Sequence, residues 1–194
     1  MMMTQCGFEQ FMEAASEGWS WLAVRTNLER LARGLQRRSD VLIYEPEASY
    51  RRLQGHPVLR DELGRRQAFA LQLVGAPWSV LLRTVDWVTT GDALAVRRMA
   101  AELSSDLVTE AVASVGAYGG AECRCFRFGK EVGCVDSDDP ASGLFEFLEE
   151  RDLWLPPCFI GTEGERATLY VEPLAGLQLR RVDRVVLRMN SSAR

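Results

Sequence analysis

Four of the five cysteines lie in the second half of the chain, and thiols are common zinc ligands. Cys123 and Cys125 take alternate positions of a predicted strand, and a turn at Gly129–Lys130 would place Cys134 directly opposite Cys125. These three thiols could hold zinc together with Cys158 or His56 as a fourth ligand. Zinc knuckles, however, present a C-x-x-C pair around a turn, whereas this C-x-C pair runs along a strand. We therefore expect buried free thiols and no cofactor, with a structural zinc site as an alternative.

Catalytic chemistry finds little support in the sequence. His56 is the single histidine, so a Ser-His-Asp or Cys-His mechanism would have to use it, yet it precedes Pro57 at an apparent helix start. Gly116–Gly120 is rich in glycine, but the next segment is predicted as a strand, which argues against a phosphate-binding loop. We expect no catalytic residues. An enzyme or small-ligand sensor whose pocket is assembled from distant residues stays an alternative.

Charge is distributed unevenly along the chain, whose net charge is -4. Residues 131–172 hold eleven acidic residues against two arginines, and residues 20–66 hold ten arginines against six acidic residues. This asymmetry favours a protein that binds another macromolecule, for example an inhibitor or immunity-like protein, through an acidic face. The acidic run near residue 138 lacks the glycine and distal glutamate of a calcium loop. The predicted partner-binding residues are Asp136, Asp138, Asp139, Glu149 and Trp154.

Composition indicates which classes of binding partner and which cellular compartment to expect. The N-terminus has no basic stretch followed by an apolar run, and no window approaches the roughly 20 apolar residues of a membrane span, so we expect no membrane contact. A pI of about 5.2 disfavours nucleic acid. An odd number of irregularly spaced cysteines favours the reducing cytoplasm. The basic residues are arginine except for Lys130, a bias typical of GC-rich bacterial genomes. We expect a monomer or homodimer with an unidentified protein partner.

Hydrophobic spacing predicts helices at the N-terminus and in the middle of the chain. Residues 8–15 have helical spacing, and apolar residues repeat in steps of three and four from Trp21 to Leu35. Residues 1–38 are therefore predicted as a helical segment. A further helix is predicted from Asp92 as its N-cap. Its buried face would contain Val96, Met99, Ala100, Leu103 and Leu107.

Strand patterns occupy most of the remaining chain. Alternating or continuous apolar runs bounded by Gly and Pro predict strands at 41–44, 67–74, 78–85, 110–117, 121–128, 131–135, 167–172 and 182–189. Short helices are predicted after Pro57 and after Asp139-Pro140. The whole chain, residues 1–194, is thus predicted as one α+β domain. Residues 39–194 would form a mostly antiparallel sheet built from hairpins, with helices packed on one face.

Overall fold

The computed structural model describes residues 19–46, 65–84, 90–117, 120–137, 146–153, 158–163, 166–171 and 179–188. The helices predicted at residues 8–15 and after Pro57 fall outside these ranges, and of the helix predicted after Asp139-Pro140 only a helical turn at residues 146–149 lies within them. The strands are β1 (Trp19–Val24), β2 (Val41–Glu45), β3 (Arg65–Leu73), β4 (Ser79–Thr84), β5 (Glu110–Ala117), β6 (Gly120–Arg127), β7 (Lys130–Ser137), β8 (Cys158–Glu163), β9 (Arg166–Val171) and β10 (Leu179–Arg188). The two long helices are α1 (Leu28–Gln36) and α2 (Thr90–Asp106).

Eight of these strands form one antiparallel sheet in the order β2-β10-β3-β4-β1-β5-β6-β7, and β8 pairs separately with β9. The chain therefore has an α+β fold with a mostly antiparallel sheet, as its strand and helix patterns predict. The β3–β4 and β6–β7 pairs are the expected hairpins. Strand β10 lies between β2 and β3 and bonds to both, so the last strand in sequence completes the sheet between two early ones.

Strand β1 corrects the predicted N-terminal helical segment. Residues 19–24 are extended and lie between β4 and β5, with Trp21 buried on one face of the sheet and Leu22 on the other. The Asn27 side chain accepts a hydrogen bond from the Arg30 backbone N–H at 2.9 Å, which caps α1 and starts the helix at Leu28. A strand buried on both faces lacks the alternation of apolar and polar residues that marks a half-buried strand, so helical spacing could be read through it.

Both long helices pack on one face of the sheet, as expected, but the helical turn at residues 146–149 lies on the other face, which corrects the prediction that the helices share one face. The apolar side of α1 contains Leu28, Leu31 and Leu35, all fully buried. Helix α2 begins at Thr90, two residues before the predicted cap, and buries the predicted set of Val96, Met99, Ala100, Leu103 and Leu107. These side chains form one core with sheet residues that share their face: Leu22, Val24, Ala68, Ala70, Leu81, Ala111, Ala113, Val115, Phe126, Val185 and Leu187.

The second face of the sheet is also buried, although neither long helix reaches it. Trp21, Phe69 and Val112 alternate with the helix-facing residues and are at most 2% exposed. Residues 146–153 lie on this side, because the Arg151 carbonyl accepts a hydrogen bond from the Trp78 indole N–H at 3.0 Å. The sheet is therefore the middle layer of the described structure.

Each outer strand of the sheet carries a β-bulge. Opposite β10, the register passes from Ile43 to Val41, which leaves Leu42 unpaired in β2. Opposite β6, it passes from Glu131 to Gly133, which leaves Val132 unpaired in β7. Both unpaired residues are exposed, Leu42 at 38% and Val132 at 55%.

A search of the described residues found no helix with the length and apolar content that a bilayer span requires.

We expect Gly34→Leu to lower the free energy of unfolding by about 1–3 kcal/mol, because it overpacks the contact between the two long helices. A Cβ at Gly34 would lie 3.2 Å from Leu103 Cδ2 and 3.4 Å from Leu107 Cδ1, so even the first atom of a leucine side chain would be tightly packed there. Urea denaturation would measure the change. Arg33→Leu, at an exposed neighbouring position of α1, should change stability by less than about 0.5 kcal/mol. Equal effects of the two variants would contradict this packing.

Candidate binding surface

The predicted acidic binding residues are only partly within the described chain. Glu149 is exposed, in a helical turn at residues 146–149. Asp136 lies in β7, at the register position opposite Glu122. Asp138, Asp139 and Trp154 lie outside the described residues, so their part in the predicted face stays a prediction.

The register of the β6–β7 hairpin differs from the expected one and separates the cysteines. The two turn residues are Phe128 and Gly129, one position earlier than predicted, because Arg127 pairs with Lys130. The bulge at Val132 then shifts the pairing again, so that Cys134 lies opposite Arg124 and not opposite Cys125. Directly opposed residues of an antiparallel pair share a face. Cys134 therefore lies on the other side of the sheet from Cys125.

Cys123 and Cys125 are fully buried free thiols, and Cys134 is an exposed one. Burial above all, together with the hydrogen bond to Glu110 and the charge of that carboxylate, raises the pKa of the Cys125 thiol to about 11, while Arg151 opposes these effects. Burial also raises the pKa of the Cys123 thiol. Both thiols are thus protonated at neutral pH, which is unsuited to nucleophilic attack. Cys158 lies in β8, and the described residues contain no group of three or more His, Cys, Asp and Glu positioned for a metal ion.

Glu110, the first residue of β5, is the centre of a charged cluster that sequence patterns did not reveal. Its side chain is 10% exposed and accepts a hydrogen bond from Cys125 Sγ at 3.0 Å. Three guanidinium groups surround the carboxylate: Arg25 Nη1 at 3.8 Å, Arg127 Nη2 at 3.7 Å and Arg151 Nε at 3.7 Å. We call these four charged residues the Glu110 cluster. The nearly buried Glu110 carboxylate thus interacts with arginines from three parts of the chain: the end of β1, the β6–β7 hairpin and the segment that follows β7.

Residues 146–152, the acidic segment, form a short turn with two different sides. Phe147, Leu148 and the following Leu153 are buried. Leu153 N–H donates to the Leu148 carbonyl and Asp152 N–H donates to the Glu149 carbonyl, both at 3.0 Å, which is the Schellman pattern for ending a helix. The acidic residues face solvent: Glu146, Glu149, Glu150 and Asp152. The segment therefore presents a concentrated negative charge on an ordered backbone.

The contacts of the Arg151 side chain connect the acidic segment to the sheet. Its guanidinium lies 3.8 Å from the centre of the Phe147 ring, and its Nη1 donates to the Phe147 carbonyl at 3.1 Å. The same side chain reaches Glu110, and its Nη2 lies 3.8 Å from the position that a Cβ at Gly133 would occupy. Together with the Trp78 hydrogen bond, these contacts hold the segment in one place. Its exposed carboxylates are consequently presented with little conformational freedom to lose on binding.

Two exposed apolar residues beside the Glu110 cluster have backbone conformations that their residue types disfavour. Val108 has φ +49° and is 68% exposed; Phe128 has φ +53° and is 58% exposed. Val108 occupies the position after α2 where Gly or Asn usually ends a helix, since its N–H donates to the Ser105 carbonyl and that of Thr109 to the Ser104 carbonyl. Phe128 occupies the first position of a two-residue hairpin turn, where Asn is preferred before Gly.

These two strained residues belong to one surface. The N–H of Gly129, next to Phe128, donates to Ser104 Oγ at 2.9 Å, which brings the hairpin turn against the end of α2. Asp152 has φ +50°, and it completes the set of described non-glycine residues with positive φ. Val108, Phe128 and Asp152 each lie within two residues of a member of the Glu110 cluster. Strained backbone concentrates at functional sites, so this surface is the candidate site.

We expect Val108→Asn and Phe128→Asn each to raise the free energy of unfolding by about 0.5–1.5 kcal/mol, because asparagine adopts positive φ at lower cost than valine or phenylalanine. Urea denaturation of each variant would measure the gain. Leu94→Asn, at an exposed apolar position inside α2, has no such strain to relieve and should lower stability slightly. A loss of stability in both turn variants would show that the native side chains stabilise the fold.

We expect the raised Cys125 pKa to make the folded protein less stable in alkaline solution. The free thiol value is 9.0 and the folded value about 11, so below pH 9 the thiol is protonated in both states and its contribution is complete. Between pH 9 and pH 11 the unfolded chain loses this proton first, and the contribution is lost as pH rises. Urea denaturation at pH 7, 9 and 10.5 would show a steeper fall for the native chain than for Cys125→Ala. Parallel pH profiles would contradict this assignment.

Comparison with protein families, with curated protein sequences and with solved structures found no match to this chain. Its function is therefore inferred from the geometry of the described residues alone.

Proposed function

We propose that this chain binds another protein through the surface around Glu110. Val108 and Phe128 would be the apolar anchors, and the acidic segment would face a basic region of the partner. The observation that supports this most directly is that two exposed side chains at positive φ are apolar. Asparagine would adopt this backbone conformation at a lower free energy in the unbound protein. Strain of this kind persists where function requires the residue.

The chemistry of the surface is typical of a protein interface. Binding energy in interfaces is concentrated in a few anchors, aromatic residues above all, and polar residues around them exclude water and set specificity. Phe128 supplies the aromatic ring, and Glu146, Glu149 and Glu150 supply the polar surroundings. Opposite charges on the two surfaces would accelerate their encounter. The proposed partner therefore presents an apolar recess bordered by Lys or Arg.

A binding role also agrees with the remaining observations. The Glu110 carboxylate, the least exposed acid of the surface, accepts a hydrogen bond from Cys125 and has three arginines within 3.8 Å, an arrangement that also occurs in structural ion-pair networks. An inhibitor-like role, in which binding itself is the activity, fits such a surface. The free thiols Cys123, Cys125 and Cys134 support a reducing location, which we propose to be the cytoplasm.

We expect the tagged full-length chain to capture one stoichiometric protein from its native host lysate, identified by mass spectrometry. The double variant Val108→Asn with Phe128→Asn should reduce capture at least tenfold, because it removes both anchors. Its backbone strain is relieved, so unfolding would not explain that loss. Leu94→Gln removes an equally exposed apolar side chain from α2 and should leave capture unchanged.

The acidic segment is tested on the same partner once it is purified. Glu146→Lys with Glu149→Lys should slow association and abolish its dependence on salt, whereas the anchor variants should speed dissociation. Capture that is unaffected by both pairs of substitutions would disprove the proposed surface. A second copy of this chain as the captured protein would identify the surface as a homodimer interface.

A further inference from the structure

A polar groove lies on the helix side of the molecule, and its lining residue Asp106 is two positions before Val108. It runs between the C-terminal end of α1 and the C-terminal half of α2, and its volume is about 480 Å³. Its lining residues are Arg37, Arg38, Ser39, Asp40, Arg98, Glu102 and Asp106. Small-molecule sites commonly have volumes of roughly 300–1,000 Å³, so the groove has room for a small metabolite.

The floor of this groove is an ordered ion-pair network. Arg38 donates from Nε and Nη2 to the two carboxylate oxygens of Asp40, at 2.9 and 3.0 Å. Its Nη1 donates to Glu102 Oε2 at 2.7 Å, which ties the end of α1 to α2. The Arg38 side chain is only 10% exposed. These three residues satisfy one another and give the groove a fixed base.

The walls of the groove, in contrast, hold charges that do not neutralise one another. Within the part of the chain that the structure describes, Arg37 has no ion pair, and Asp106 has none either. Arg98 is only loosely paired, with Nε 3.8 Å from Glu102 Oε1. Arg37 and Asp106 therefore line one groove with opposite charges and are more than the 4.0 Å of an ion pair apart.

We propose that this groove binds a small zwitterion, a molecule with a carboxylate at one end and an ammonium group at the other. The carboxylate would lie between Arg37 and Arg98, whose guanidinium groups suit carboxylate geometry. The ammonium group would pair with Asp106. This proposal does not rest on the proposed protein-binding function.

Charge balance favours a zwitterion over a simple ion. The lining contains three arginines and three acidic residues, so its formal charge is zero. A lone anion would be attracted by Arg37 and Arg98 but repelled by Asp106, and for a lone cation the attraction and repulsion would be reversed. A zwitterion, in contrast, would be attracted at both of its ends. Exposed ion pairs each contribute little in water, so we expect dissociation constants in the millimolar range.

The test uses the full-length ¹⁵N-labelled protein and 6-aminohexanoate as the probe, followed by ¹⁵N–¹H NMR. We expect saturable shifts confined to the amides of residues 37–40 and 98–106. Hexanoate and hexylammonium, which each carry one of the two charges, should bind up to about fivefold more weakly, the largest factor that one exposed charge pair supplies. Shorter zwitterions such as 4-aminobutyrate would report the charge separation that fits best.

Substitutions assign the two ends of the probe. Arg37→Gln and Asp106→Asn should each raise the dissociation constant by up to about fivefold, and Arg33→Gln, on the exposed side of α1 outside the groove, should not change it. Unsaturable shifts with every zwitterion would overturn the proposal, as would equal affinity of the native chain and an Arg37→Gln, Asp106→Asn double variant. The spectrum of each variant reports its folding in the same experiment.

Discussion

Burial of β1 on both faces is the constraint on which the rest of the structure depends. Trp21 and Leu22 point to opposite sides of the sheet and are both excluded from water, so each side needs its own cover. On one side α1 and α2 supply it, since their apolar stripes match the positions of the sheet residues below them. On the other side Trp78 and residues 147–153 contribute, joined by the hydrogen bond between Trp78 and Arg151. The acidic segment is thus part of the layer that covers the second face of the sheet.

Local patterns predicted the elements that are amphipathic or bounded by clear turn residues. Helix α2 has one apolar side and one polar side, so its buried set could be identified from spacing alone. The β3–β4 hairpin follows from Gly75, whose φ of +83° is accessible to glycine at low cost. Strand β1 was mistaken for helix because a strand covered on both sides loses its alternation. The partners of β10 are non-local, and no pattern within one strand specifies them.

The candidate surface was less accessible to sequence reasoning. The amino-acid composition of the sequence around Glu149 is markedly acidic, and Glu149 is exposed in the structure. Glu110 carries no such signal, because its three arginine neighbours come from positions 25, 127 and 151 and meet only in the fold. A signal did exist at Phe128-Gly129, a dipeptide whose glycine marks a two-residue turn. Assigning the turn one residue late hid the strain at Phe128, and the bulge at Val132, which no local pattern predicted, placed Cys134 on the opposite face from the one expected.

The bulges at Leu42 and Val132 limit how far the sheet can grow. An outer strand offers a row of free backbone donors and acceptors to any other extended chain, and regular apolar edges invite aggregation. In both outer strands the bulge at the exposed apolar residue interrupts the regular spacing of backbone hydrogen-bonding groups. A new strand therefore cannot pair continuously along either edge. The molecule can therefore display Val132 and Leu42 to solvent and still resist edge-to-edge polymerisation.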